Sequence, residues 1–369
     1  MSSANIYIGL MSGTSIDAVD AVAVKFAGGD IELIDSHSEA IPQKLKQQIL
    51  DLCQPPNDSV QLLGETDHRL GKLYAETTLS LLNKAQLKAS QIRAIGCHGQ
   101  TIRHATPGAG NIPFSLQIGD ANIVAAETEV PVVADFRRKD MALGGQGAPL
   151  VPAFHQYAFT CTKANRAIVN IGGISNISLV PSNGNCSGYD TGPGNLLMDL
   201  WSQTHLGTRY DNNGDWAANG NTHQALLEHM KSCEFFSLPA PKSTGRELFN
   251  HHWLSTQLQQ FTDIAPQDVQ ATLLSLTAET ISDAILGTDI PVDEIYICGG
   301  GAYNSELMTT LAKNLPRVNT TETLGIAPDL VEACAFAWLA KQRLTDQYGN
   351  LVEATGAKKQ TILGAIYLP

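Results

Sequence analysis

The chain has 369 residues, of which 43% are hydrophobic and 16% charged, and its net charge at pH 7 is −12. This is the composition of a globular protein with one or two domains, and no apolar stretch reaches the roughly 18 residues that span a bilayer. The negative charge, with no basic run longer than residues 137–139, argues against a nucleic-acid-binding protein.

Seven cysteines are scattered along the chain, and none of them forms a CxxC pair. This spacing favours reduced thiols over a disulfide framework or a zinc site. The N-terminal residues lack the charged and apolar regions of a signal peptide. We therefore expect a cytoplasmic protein that has no membrane partner.

The first half of the chain begins with three predicted strands. Residues 5–10 and 19–26 alternate between apolar and polar types, and IELID follows a glycine-rich turn, which predicts an antiparallel meander. Helical periodicity follows at 43–53 and 59–87, then the strand IRAIGC and a further helix and strand. A meander followed by alternating helices and strands predicts a mixed α/β architecture.

The second half begins in a similar way, with RAIVNIGG and ISNISLVP as the two strands of a hairpin. A helix-rich insertion at about 195–287, the strand EIYICGGG and a last long helix at about 329–344 follow. We expect two similar lobes, 1–135 and 136–344, with the first lobe completed by the tail at about 345–369.

The tip of the first hairpin, GTSIDAVD at 13–20, is rich in glycine and hydroxyl groups that can bind phosphate, although a single such tip could be only a tight turn. It has no lysine and opens a strand, so it is neither a P-loop nor a dinucleotide fingerprint. Asp17 and Asp20 would repel a phosphate unless a cation lies between them. They therefore predict magnesium or a role in proton transfer.

Two further glycine clusters strengthen the prediction of a nucleotide site. NIGGISN places Gly172 and Gly173 at the tip of the second hairpin, and ICGGGAYN places Gly299, Gly300 and Gly301 just before a helix N-terminus, which carries positive partial charge. Each cluster alone could serve a turn or close packing. Together with the first hairpin they favour nucleotide binding.

Asp190 lies in GYDTGPGN, between the second hairpin and a predicted helix. It could be part of the helix N-terminus, with Thr191 as cap and Pro193 in the first turn. It could equally act as a general base beside the phosphate site, a role worth about a hundredfold to ten-thousandfold in rate.

Arg137 follows a predicted strand and is placed to hold a carboxylate in its guanidinium fork. It could instead pair only with Asp135 or Asp140. Glu332 has capping-box spacing from Asp329. Its place at the start of an apolar helix, after the glycine-rich region, favours a position that faces a cleft.

Two other polar clusters carry possible contacts. CHGQTIRH, at 97–104, follows a strand and is dense in donors and acceptors. PKSTGRELFN contains Lys242 and Arg246, which could reach a phosphate or lie on the surface of a loop. Either cluster could be structural.

Seven motifs in order resemble the anhydro-N-acetylmuramic acid kinase family, within the actin, sugar-kinase and heat-shock ATPase superfamily. They are GLMSGTSIDAVDAV, CHGQT, DFRRKDMALGGQGAPLVP, NIGGISNISL, YDTGPGN, PKSTGRELFN and GIAPDLVEACAFAWLA. They extend from residue 9 to about residue 340, and TGAKKQTILGAIYLP resembles the family's tail. The resemblance implies a two-lobed actin-like ATPase fold, each lobe with a ribonuclease-H-like mixed sheet flanked by helices.

The resemblance also implies a reaction. The family uses ATP and Mg²⁺ to open the 1,6-anhydro ring of N-acetylmuramic acid with water and to phosphorylate the freed 6-oxygen, in murein recycling. The expected partners are ATP and an anhydro-amino sugar, and the resemblance leaves a homodimer open. A kinase for another amino sugar that opens no ring, and a non-enzymatic actin-like nucleotide-binding protein, are the alternatives.

Carried over by position, the family's motifs imply roles for individual residues. Asp190 would be the catalytic base, and Thr101, Arg137 and Glu332 would contact the sugar, with Arg137 a candidate for its lactyl carboxylate. The metal ligands are not specified, and Asp17 and Asp190 are candidates. The residues implied to bind ATP are Gly13, Thr14, Ser15, Ile16, Asp17, Ala18, Val19, Asp20, Gly172, Gly173, Gly299, Gly300 and Gly301.

Two positions depart from the pattern. The superfamily usually has an aspartate near the end of the first strand, where this chain has Met11. The family commonly has glycine where this chain has Ala18. Alanine does not easily adopt positive φ, so the backbone at Ala18 is a test of the resemblance.

Overall fold

The computed structural model describes residues 5–54, 57–106, 112–184 and 186–369. The chain forms two compact units, Met1–Ala158 with Leu330–Pro369, and Phe159–Asp329. The C-terminal tail belongs to the first unit, as the sequence predicts. Residues 136–158 and 330–344, which the sequence places in the second lobe, also lie in the first unit.

The predicted strands and helices occur in the predicted order, together with strands at 100–105, 114–118, 187–193, 318–320 and 365–367 that the sequence did not predict. The strands are β1 (Ile6–Met11), β2 (Ala18–Ala27), β3 (Asp30–Ala40), β4 (Ile92–Cys97), β5 (Gln100–Ala105), β6 (Phe114–Ile118), β7 (Val132–Ala134), β8 (Arg166–Ile171), β9 (Ile174–Val180), β10 (Ser187–Pro193), β11 (Glu294–Cys298), β12 (Val318–Thr320) and β13 (Ala365–Tyr367). The α-helices are α1 (Gln43–Leu52), α2 (Val60–Lys84), α3 (Ala121–Thr128), α4 (Arg138–Ala142), α5 (Val151–Phe159), α6 (Leu196–Leu206), α7 (Asp215–Ala218), α8 (Gln224–Lys231), α9 (Glu234–Ser237), α10 (His251–Leu258), α11 (Pro266–Leu286), α12 (Ser305–Asn314), α13 (Val331–Leu344) and α14 (Val352–Thr355). Within the described chain, no helix has the length and apolarity needed to cross a membrane.

Both units are built on the same sheet topology. The first sheet has the order β13-β7-β4-β1-β2-β3, with β1–β3 antiparallel and β1, β4 and β7 parallel. The second has the order β10-β9-β8-β11-β12, with the same division into an antiparallel meander and parallel strands. The two similar halves predicted from the sequence are therefore confirmed, and each is a mixed sheet flanked by helices.

Helix α13 packs directly on the first sheet. A Cβ atom at Gly9 of β1 would lie 1.8 Å from the Ala333 carbonyl oxygen, and one at Gly96 of β4 would lie 1.9 Å from the Phe336 carbonyl oxygen. The two glycines let the helix backbone approach both strands. This contact explains why residues 330–344 belong to the first unit.

The C-terminal tail is held by a buried carboxylate. Asp140 accepts hydrogen bonds from the Gly147 N–H (2.9 Å), Asn350 Nδ2 (2.7 Å) and Thr355 Oγ1 (2.7 Å). Each donor satisfies a charge that would be costly to bury unpaired. Asp140, the last residue of DFRRKD, therefore joins residues 140–147 to the tail.

We predict that Gly9→Ala lowers the free energy of unfolding by about 1–3 kcal/mol, because the added methyl group has no space against α13. Guanidinium denaturation of the purified protein measures this change. The matched control is Gly64→Ala in α2, where a Cβ atom meets nothing within 4 Å. That change should stabilise the helix by about 0.5–1 kcal/mol, and equal effects of the two substitutions would contradict the packing argument.

Candidate active-site residues

The tip of the first hairpin is a tight turn between β1 and β2. The Ile16 N–H donates to the Gly13 carbonyl oxygen (3.1 Å), and Ile16 itself has φ of 55°. This left-handed conformation is unfavourable for a β-branched residue. Ala18 begins β2 opposite Ala40 and does not adopt positive φ. Alanine in place of glycine is therefore compatible with the loop.

The two aspartates of this loop have different surroundings. Asp17 Oδ1 accepts from Lys46 Nζ at 2.5 Å. Asp20 lies opposite Met11 in the β1–β2 register, and its Oδ1 accepts from Ser38 Oγ at 2.7 Å. Among the described residues, no group of three histidine, cysteine, aspartate or glutamate side chains could hold a metal ion.

Arg137 lies just after β7 and makes three hydrogen bonds. Its Nε and Nη2 donate to His98 Nε2 (3.1 and 2.8 Å), and its Nη1 donates to the Gly147 carbonyl oxygen (2.8 Å). Pairing with Asp135 or Asp140, the structural alternative, is wrong. Asp135 instead pairs with Arg138, and Asp140 holds the tail.

The guanidinium of Arg137 carries its charge in a partly buried position. No carboxylate of the described chain forms a salt bridge with it, and burial lowers its pKa to about 10 against the opposing effect of Glu332 and Asp140. Burial and the Arg137 charge also hold the pKa of His98 well below its usual value. His98 is therefore neutral, with Nε2 as acceptor.

Glu332 lies in the first turn of α13 and is not part of a capping box. The N-cap of α13 is Leu330, with no side-chain hydrogen bond, while Asp329 Oδ1 accepts from the Tyr303 hydroxyl (2.8 Å). Burial raises the pKa of Glu332, Arg137 lowers it and Asp20 raises it. Glu332 is thus within electrostatic reach of both Arg137 and the first loop.

The CHGQT motif reaches the same region of the first unit. Gln100 Nε2 donates to the Gly13 carbonyl oxygen at 3.4 Å. Thr101 lies on β5 opposite Gln117, whose Nε2 donates to Thr101 Oγ1 at 3.0 Å. Gln100 therefore links strand β5, which carries Thr101, to the first hairpin.

In the second unit, Gly172 and Gly173 form the turn between β8 and β9. Their carbonyl oxygens accept from the N–H groups of Gly194, Asn195 and Leu196 at 2.8–3.1 Å. A Cβ atom at Gly194 would lie 2.3 Å from the Gly172 carbonyl oxygen. The glycine in the GPGN sequence thus lets the start of α6 pack on the hairpin tip.

The third glycine cluster packs against the same hairpin. Gly299 has φ of 79°, and a Cβ atom there would lie 2.3 Å from Asn170 Oδ1. One at Gly301 would lie 2.3 Å from Ile171 Cγ2. Gly300 is exposed, and its nearest neighbour would be 3.7 Å away. Close packing therefore accounts for Gly299 and Gly301, while Gly300 is open.

Asp190 does not belong to a helix N-terminus. β10 continues through it to Pro193, α6 begins at Leu196, and Thr191 Oγ1 donates to the Ser175 carbonyl oxygen at 3.2 Å. The predicted cap at Thr191 and the helical turn at Pro193 are therefore wrong. Pairing with β9 determines the extended conformation, and the pairing register shifts just after Asp190.

The carboxylate of Asp190 is held from one side. Ser243 Oγ (3.0 Å) and the Thr244 N–H (2.9 Å) both donate to Oδ2, and the Asp190 N–H donates to the Lys242 carbonyl oxygen (3.0 Å). Burial raises the pKa of Asp190 to about 6, although the two hydrogen bonds lower it. A partly buried aspartate with this pKa can exchange a proton near neutral pH.

Sequence reasoning missed Ser243 and Thr244. It identified their motif, PKSTGRELFN, but considered only Lys242 and Arg246, as residues that could reach a phosphate or lie on the surface of a loop. Lys242 Nζ instead donates to the Phe235 and Phe236 carbonyl oxygens at 3.0 and 2.9 Å. The available signal was the pair of hydroxyl residues, Ser243 and Thr244, between Lys242 and Arg246 in this motif.

Two units with one duplicated sheet topology and glycine-tipped hairpins define a two-lobed mixed α/β protein. The chain belongs to the anhydro-N-acetylmuramic acid kinase family, whose model matches residues 5–369.

Named relatives have similar lengths. Over 369 residues the chain is 50% identical to the anhydro-N-acetylmuramic acid kinase of Saccharophagus degradans, covering 99% of each. It is 51% identical over 365 residues to that of Shewanella halifaxensis, covering 98% of each, and 50% identical over 364 residues to that of Pasteurella multocida, covering 98% and 96%.

Component A of Acidaminococcus fermentans (R)-2-hydroxyglutaryl-CoA dehydratase is a distant structural neighbour, with 11% identity and a TM-score of 0.48 over 90% and 96% of the chains. This similarity is too distant to bear on function.

We predict that Ser243→Ala raises the pKa of Asp190. The Ser243 hydroxyl stabilises the ionised carboxylate, and the substitution removes this hydrogen bond. The acid limb of the kcat/KM profile should move to higher pH by up to about one unit, so the loss of activity is largest below pH 6. The pH dependence of turnover measures it, with Ser243→Thr as the matched control that keeps a hydroxyl. A uniform loss at every pH would contradict this role for Ser243.

Proposed function

We propose that this protein uses ATP and water to convert 1,6-anhydro-N-acetylmuramic acid into N-acetylmuramic acid 6-phosphate. Membership of the family over residues 5–369, and the names of relatives that are about 50% identical, support the substrate and the reaction. The observation that supports it most is Asp190, a partly buried carboxylate whose Oδ2 accepts from Ser243 and Thr244 and whose pKa is raised to about 6.

Asp190 is the proposed base. Both of its donors bind Oδ2, so Oδ1 is the oxygen that takes a proton from water. The water oxygen bonds to the anomeric carbon as the bond from that carbon to the 6-oxygen breaks. The 6-oxygen bonds to the γ-phosphorus, and the bond to the leaving ADP oxygen breaks. A pKa near 6 leaves the base ionised at neutral pH while it remains able to accept a proton.

The glycine clusters are the proposed phosphate and nucleotide contacts. Gly13–Asp20, Gly172–Gly173 and Gly299–Gly301 would bind ATP, with Gly300 the most accessible member of the third cluster. Mg²⁺ commonly takes phosphate and water oxygens together with one or two carboxylates. Asp20 is the loop carboxylate that would hold the ion, directly or through water, and the ion would neutralise charge on the phosphoryl group.

Thr101, Arg137 and Glu332 are the proposed sugar contacts. A partly buried guanidinium that forms no salt bridge with a described carboxylate is costly, and an anionic substrate group would satisfy it. His98 and Gly147 orient Arg137 through three hydrogen bonds. Arg137 is therefore assigned to the lactyl carboxylate of the sugar.

The ring-opening step has a direct test. With Mg²⁺, ATP and 1,6-anhydro-N-acetylmuramic acid in ¹⁸O-water, mass spectrometry should find a 6-phosphorylated sugar with the label at the anomeric carbon. Asp190→Asn should abolish turnover while MgATP still binds, because the amide cannot accept the proton. An unlabelled product would indicate a kinase that opens no ring, and substantial activity of Asp190→Asn would remove Asp190 as base.

The role of Arg137 is tested by removing its partner from the substrate. Arg137→Met should reduce kcat/KM for the muramic substrate by about a hundredfold or more. It should have a much smaller effect with 1,6-anhydro-N-acetylglucosamine, which lacks the lactyl group. Arg138→Met, at the exposed neighbour that pairs with Asp135, is the matched control. Equal losses on both sugars would show that Arg137 does not read the carboxylate.

A further inference from the structure

Lys46 of helix α1 binds the first hairpin tip at two points. Its Nζ donates to the Ser15 carbonyl oxygen at 3.0 Å and to Asp17 Oδ1 at 2.5 Å. The lysine side chain is 23% exposed and that of Asp17 is 39% exposed. The sequence of the loop has no lysine of its own, so this cation comes from another element.

The position of Lys46 is fixed by the packing of its helix. The Ile41 N–H donates to the Asp17 carbonyl oxygen at 2.9 Å. Ile41 directly precedes Pro42, which is the N-cap of α1. Leu45 and Ile49 of α1 are buried in the core of the first unit. An exposed ion pair between two mobile side chains contributes little, but this lysine is carried by a helix that is attached to the loop.

The contacts of Lys46 bear on two unfavourable features of the loop. Asp17 would repel a phosphate group at short range, and an adjacent ammonium cancels that charge. The Ser15 carbonyl precedes Ile16, whose φ of 55° is unfavourable for a β-branched residue. Lys46 therefore opposes the charge of Asp17 and restrains the strained turn at the same time.

We propose that Lys46 is the cation of the first phosphate loop, and that it allows ATP to bind beside Asp17 by neutralising this carboxylate. Asp17 is then a loop-positioning residue and not a magnesium ligand. The inference rests on the proposed function, in which Gly13–Asp20 bind the phosphates of ATP. It adds a positioning residue from outside every motif that carries the family resemblance.

The test is a double-mutant comparison of MgATP binding by calorimetry, together with steady-state kinetics. Lys46→Met should raise the Kd and KM for MgATP about tenfold, with kcat at saturating ATP changed much less. Asp17→Asn in the Lys46→Met background should recover most of the lost affinity, because the carboxylate charge that Lys46 neutralises is removed. Lys46→Arg should retain most of the affinity, and the exposed Lys44→Met on the same helix is the matched control.

Three results would overturn the inference. The first is wild-type affinity for MgATP in Lys46→Met, and the second is no recovery in the double variant, which would leave the lysine a purely structural role. The third is a rise in the Mg²⁺ concentration for half-maximal activity in Asp17→Asn alone, which would make Asp17 a metal ligand. If the wild-type protein binds no MgATP, the proposed function itself fails; the variants would then show no difference from it.

Discussion

A carboxylate in a partly buried position is costly unless its charge is compensated, and this constraint organises the contacts of Asp17 and Asp190. Lys46 compensates Asp17, and hydrogen bonds from Ser243 and Thr244 compensate Asp190 in part. Burial acts in the opposite direction at Asp190 and raises its pKa. The balance differs at the two aspartates, so one is suited to hold a loop and the other to accept a proton.

The same constraint applies with the opposite sign at Arg137. Its guanidinium is partly buried and donates to a neutral histidine and a carbonyl oxygen, neither of which cancels its charge. Glu332 is near enough to influence its pKa but forms no salt bridge with it in the described chain. A site that keeps an uncompensated cation selects an anionic ligand, since only such a ligand recovers the cost of burying the charge.

Glycine serves two separate purposes in this fold. At Gly9, Gly96 and Gly301 a side chain would collide with neighbouring backbone or core atoms, so glycine is needed for packing. At Gly13 a Cβ atom would meet nothing within 4 Å, and Gly300 is similarly open. Only the second group leaves backbone accessible to a ligand, and glycine-rich motifs in a sequence do not separate the two.

The sequence by itself determined the two glycine-tipped hairpins, the mixed α/β class, the duplicated halves and the family, because these depend on local periodicity and on ordered motifs. Asp190 was also found in this way, but its conformation was not, because pairing with β9 overrides the local signals for a helix cap. Only the tertiary structure decided which groups compensate each charge. Lys46 is 29 residues from Asp17, Ser243 is 53 from Asp190 and Thr355 is 215 from Asp140. Such pairs are brought together by packing of whole elements, which no local pattern of residues encodes.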